Sequence, residues 1–216
     1  VIEIMEEVER IGEVLKLVER YEDYLFRRAW GMTFIVLGLL APVSFLIILK
    51  AQPIAMILGM STEAFISLAS ITIALTLAAI ITYLFASATV ALSKKRKFSF
   101  SKDIPHALLL SLTWFISFQL THYAPERFAA VSWLWAGGFA SLFSYLVLLK
   151  VQVHKGFREL LVTGLILIVT SIPIAFIADA STAETASLIV FSIAFVGGGI
   201  YSILKATKVL GGEEAM

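Results

Sequence analysis

His122, Glu126, Asp179 and Glu184 are the residues of this chain whose types could hold a metal ion or carry a proton, because imidazole and carboxylate groups serve both tasks. Their spacing follows no ligand pattern, and the three histidines are scattered. The chain has no HExxH helix, no GxSxG elbow and no phosphate-binding glycine loop, so zinc hydrolysis, serine acyl transfer and nucleotide chemistry lack their usual groups. Cysteine is absent, which removes disulfides, thiolate metal sites and thiol nucleophiles. No catalytic, cofactor-binding or metal-binding set is assigned, no cofactor is expected, and the expected role is non-catalytic. His122 is expected to make an interfacial hydrogen bond.

Other polar groups are few. Glu6, Glu7 and Arg10 lie before the first apolar stretch, and their spacing does not match the glutamate-pair motif of intramembrane CAAX-type proteases. Thr113, Ser117 and Thr121 share one face of a helix that also carries Gln119; interhelical hydrogen bonds, worth about 0.6 kcal/mol each, are their expected use, with contact to a substrate as the alternative. The cations Lys94, Lys95, Arg96, Lys97 and Lys102 surround two phenylalanines. They are expected to set topology and are candidates for anionic-lipid contact, at about 1 kcal/mol per cation. So short a patch is not expected to bind nucleic acid.

These residues must be positioned by apolar elements. Six stretches, near 30–49, 65–92, 107–123, 128–149, 160–178 and 183–204, carry no charge in their middles. Each can cross about 30 Å of hydrocarbon as a helix rising about 1.5 Å per residue. Apolar residues make up 59% of the chain and the mean hydropathy is +0.92, above the roughly 45–50% apolar content of soluble domains. The expected fold class is all-α: a polytopic membrane protein with six transmembrane helices preceded by a cytoplasmic amphipathic helix. The expected divisions are 1–28 for that helix, 29–208 for the membrane domain and 209–216 for a short tail. With a cytoplasmic N-terminus, 15 of the 17 Lys and Arg residues fall inside, leaving Lys50 and Arg127 outside. Both termini are therefore expected to be cytoplasmic, in the cell membrane of a prokaryote. No cleavage pattern follows the first stretch, which is expected to remain in place. Asn is absent and Gln occurs only at positions 52, 119 and 152, a depletion expected of a thermophile.

Residues 1–28 hold eight acids and five bases. Ile4, Val8, Ile11, Leu15, Val18 and Leu25 step by fours and threes, apart from the gap that Glu22 makes in the pattern, as a heptad seam does. A net-acidic seam suits a protein partner, either another subunit or a second copy, better than anionic lipid. The alternative is an elbow that packs on its own bundle. Small residues recur every four positions at Ser70, Ala74, Ala78, Thr82 and Ala86, and again at Ala194, Gly198 and Ser202. Such stripes admit close helix packing, and the even-numbered spans are expected to lie towards the centre. Pro173 is expected to kink the fifth span, with Thr170 and Ser171 near the freed carbonyl. Ser181 and Glu184 are expected to cap the sixth helix, and Pro125 to open the fourth.

In architecture the chain is similar to permeases of ABC-type exporters, which place an amphipathic elbow before six helices, and to the six-span substrate-binding subunits of vitamin transporters. The resemblance implies a permease-like transport subunit with a cytoplasmic partner. A membrane scaffold or regulatory protein presenting the N-terminal helix and basic loop is the alternative, and a lipid-modifying intramembrane enzyme is a second.

Overall fold

The computed structural model describes residues 2–92, 109, 112–114, 116–117, 120–125, 128–150 and 158–211. Among these residues the chain is all-α. Helix α1 covers Ile2–Leu49, α2 Ala51–Ile57, α3 Thr62–Leu92, α4 Ala129–Lys150, α5 Arg158–Ile174 and α6 Ala180–Leu210, with a 3-10 turn at Thr121–Tyr123. Among the described residues, three helical segments are long and apolar enough to cross a membrane: Val8–Ser44, Ala129–Val147 and Ala180–Leu210. A fourth is added if α2 and the start of α3, bent by 104°, form one span.

Burial follows the helical period. On α5 the buried positions are Glu159, Leu160, Thr163, Gly164, Leu167, Ser171 and Ile174, while Val162, Ile166, Val169 and Ile172 face outward. The helix is apolar on both sides, as lipid requires and water does not. Phe34, Trp114, Trp133, Phe191 and Phe195 form the interior. Phe195 sits 5.3 Å from Phe34 in an edge-on contact and 4.4 Å from Phe191, measured between ring centroids.

Glycine lets the backbones meet. A Cβ added to Gly31 on α1 would lie 2.7 Å from the Gly199 carbonyl oxygen of α6, and one on Gly199 would lie 2.5 Å from that of Gly31. Gly138 on α4 and Gly164 on α5 repeat this reciprocal contact at 3.1 and 2.9 Å. With no hydrophobic drive between helices in lipid, such close approach supplies much of the packing energy. The most extensive pairing is thus between α1 and α6. The second apolar stretch, α3, packs against α1 and α2.

Helix ends depart from expectation in informative ways. Pro173 does not kink a longer helix: α5 stops one residue beyond it, and the chain turns through bonds from the Phe176 amide to the Pro173 carbonyl and from the Ile177 amide to that of Ile174. Thr170 and Ser171 donate to the Ile166 and Ile168 carbonyls, so neither takes the carbonyl that proline frees. The N-cap of α6 is Asp179, whose carboxylate accepts from the Thr182 amide at 2.7 Å and from the Thr182 hydroxyl. Ser181 lies within the first turn instead. Pro125 initiates the turn before α4, its carbonyl accepting from the Phe128 amide at 2.8 Å.

Two predictions follow from these contacts. Gly199→Ala should destabilise the protein by about 1–3 kcal/mol through overpacking, whereas Gly12→Ala, with open space at that position, should stabilise it by up to about 1 kcal/mol; unfolding equilibria in detergent compare them. The Thr182 hydroxyl and amide, with a smaller contribution from the Ser181 amide, hold the Asp179 carboxyl below its usual value. Because that value is lower folded than unfolded, its contribution is complete above the ordinary carboxylate range and is lost as pH falls through the folded value. Asp179→Ala should therefore lower the thermal midpoint at pH 7 and leave it nearly unchanged at strongly acidic pH.

Candidate functional site

Helix α1 runs for 48 residues with Pro42 inside it, about 72 Å of helical path at 1.5 Å per residue. Its two parts have opposite surroundings. Val8, Ile11 and Leu15 of the heptad seam are exposed, Val18 and Leu25 are half-buried, and the side chain of Ile4 lies outside the described residues. Val14, Leu17 and Tyr21 are also exposed and widen the apolar surface. The early turns therefore do not lie against the described bundle as an elbow would.

From Arg27 onward the same helix is embedded. Arg27 is 4% exposed and donates from Nε to Asp23 at 2.9 Å and from Nη1 to Glu159 at 3.4 Å. Glu159 is itself 4% exposed, and its Oε2 atom is buried without a hydrogen-bond partner among the described residues. The Ser202 hydroxyl of α6 donates to the Arg27 carbonyl at 3.1 Å. Three helices thus converge on one residue: α1 supplies Arg27, α5 the carboxylate and α6 the hydroxyl. A planar guanidinium suits this role because it can serve two carboxylates at once.

Sequence reading placed no charge inside the bundle, and the Arg27 and Glu159 pair is what it missed. Arg27 resembles a cation reaching for a membrane surface, and Glu159 resembles the polar end of a span. The available signal was an acid placed immediately before the apolar run of α5, on the same helical face as Thr163 and Leu167.

The remaining expected residues lie as follows. Ala194 and Ser202 are buried in α6, and a Cβ on Gly198 would meet the Thr163 hydroxyl and the Phe34 ring. Ser70 is exposed, and the side chains of Ala74, Ala78, Thr82 and Ala86 lie outside the described residues. Lys94, Lys95, Arg96, Lys97 and Lys102 also lie outside them, as do Glu126 and the His122 side chain. Among the described residues no group of three metal-ligating side chains occurs. The arrangement leaves apolar side chains of the early turns of α1 exposed and ties the same helix to α5 and α6 around Arg27. Comparison with protein-family models, curated proteins and solved structures gives no match.

Removing one partner of a buried pair strands the other charge, at about 3–5 kcal/mol. Arg27→Met, which leaves the Glu159 carboxylate buried without its cation, should therefore lower stability in detergent by that order; Glu159→Ala, which leaves Arg27 its bond to Asp23 at 2.9 Å, should cost less, and Arg27→Met combined with Glu159→Leu should recover most of the Arg27→Met loss. A double-mutant cycle on unfolding free energies measures the coupling.

Proposed function

We infer that this protein is a non-catalytic membrane subunit that presents the first turns of α1 to a cytoplasmic protein partner. The observation that carries the reading is the continuity of α1, which exposes Val8, Ile11, Val14, Leu15 and Leu17 yet is clamped at Arg27 and Gly31. In this reading the chain crosses a prokaryotic cell membrane six times with both termini inside, supported by the 15 to 2 division of its cations.

The filled interior favours a scaffold that presents α1 over a permease. Phe34, Leu134, Leu167, Phe191 and Phe195 occupy the space between α1, α4, α5 and α6, and the two glycine contacts draw these helices together. The net-acidic segment favours a partner helix with basic flanks over a second copy, because like charges beside a coiled-coil seam repel.

Purification of the full chain from its native membrane, beside a chain lacking residues 1–24 and a Val8→Glu/Leu15→Glu variant, tests this reading. A protein recovered with the full chain and lost from both variants, while their bundles unfold at the wild-type temperature, is the expected result. Recovery of the same complex from the truncated chain would remove the assigned role of α1.

A further inference from the structure

The heptad seam of α1 has edges of one sign. Between Ile4 and Leu25 the charged residues on the seam or flanking it are all acids: Glu7 and Glu19 flank it, and Glu22 lies on it. Arg10, Lys16 and Arg20 fall on the remaining heptad positions. Along its middle the seam is apolar and open, with Val8 63%, Ile11 56% and Leu15 51% exposed. Glu19 is exposed and Glu22 half-buried, and the side chain of Glu7 lies outside the described residues. The sequence holds one run of opposite character: Lys94, Lys95, Arg96 and Lys97 precede Phe98 and Phe100, Lys102 follows, and no acid occurs before Asp103.

We propose that the basic segment Lys94–Lys102 docks on this acid-edged seam of its own chain, Phe98 and Phe100 against Ile11 and Leu15 and its cations beside Glu19 and Glu22. The course of the chain brings the two together. Only residues 50–61 separate α1 from α3, and the two helices pack against each other, so α3 runs back along α1 towards its early turns. Its 31 residues cover about 46 Å at 1.5 Å per residue, the same helical path as from Leu49 back to Val18. The chain leaves α3 at Leu92, from which Phe98 can reach up to roughly 20 Å, whereas α1 rises only about 10 Å between Ile11 and Val18. Other occupants suit the face less well. A parallel second copy would set Glu22 against Glu22, and anionic lipid would repel the acidic edges. A short tether also presents the segment at an effective concentration on the order of millimolar. On the reading of α1 as a partner's docking helix, the segment is therefore a built-in competitor, and a partner engages the seam by displacing it.

The chain has no cysteine, so introduced thiols can be cross-linked without competition. Leu15→Cys/Phe98→Cys pairs the segment with the seam, and Glu13→Cys/Phe98→Cys pairs it with an exposed position on the opposite side of α1. Each full chain is treated with a short bismaleimide in dilute detergent solution, and products within one chain are followed by mass spectrometry. Cross-linking roughly tenfold faster for the Leu15→Cys pair is expected from a docked tether, with the difference abolished when Lys94, Lys95, Arg96 and Lys97 are all replaced by glutamine. Equal rates for the two pairs, or products only between chains, would overturn the contact. Repetition in nanodiscs containing phosphatidylglycerol decides against or for lipid: a preference that persists supports docking on α1, and one that vanishes assigns the segment to anionic head groups and overturns it. Hydrogen exchange on thiol-free chains guards against folding defects of the cysteine variants. Amides of Val8–Val18 should exchange several-fold faster in the four-glutamine chain than in the wild type while those of α6 are unchanged, and equal exchange would also exclude the contact. None of these measurements requires a partner protein, so loss of this contact and absence of a partner are told apart.

Discussion

At Gly31 and Gly199 the backbones of α1 and α6 touch, with no side chain between them. Dispersion forces reward this contact only at short range, and a single added carbon would hold the helices apart. The geometry of the charged cluster depends on the same contact. Arg27 lies one turn before Gly31, and Ser202 lies three residues beyond Gly199, where it reaches the Arg27 carbonyl. Close packing at the glycines thus aligns the groups around the buried arginine, which also reaches Glu159 of α5. The aromatic interior from Phe34 to Phe195 fills the remaining space on the same side of α1.

The apolar nature of the helices was legible because lipid leaves a simple signature, a long run without charge. The small-residue stripe of the last apolar stretch was legible for a related reason: Ala194, Gly198 and Ser202 recur at the helical period. Which helix would meet that stripe was not. The stripe of the second stretch has the stronger repeat, yet α6 pairs with α1, whose Gly31 and Gly38 stand seven residues apart among larger side chains. Complementarity between two particular surfaces decides that choice, and periodicity within one segment carries no information about its partner.

Charge was harder to read than apolarity. Arg27 and Glu159 are separated by 132 residues, and each sits at the end of an apolar run, where exposed charge is ordinary. Only the fold makes them neighbours. Local signals failed more narrowly at the helix ends. Asp179 and Ser181 are both good capping residues, and the chain enters α6 from the extended backbone at Asp179, which decides between them. Pro173 was expected to bend a helix, but the chain turns soon after it, so the proline closes α5.

The length of α1 has a consequence of scale. Of its roughly 72 Å, a bilayer's hydrocarbon takes about 30 Å and the head groups about 10–15 Å more. If Leu49 marks one boundary and the helix stands near the membrane normal, some 30 Å of helix rises clear of the other face. That segment acts as a ruler. In that arrangement it would set the height above the lipid of a partner gripping Val8 or Ile11, with the buried Arg27 at its base.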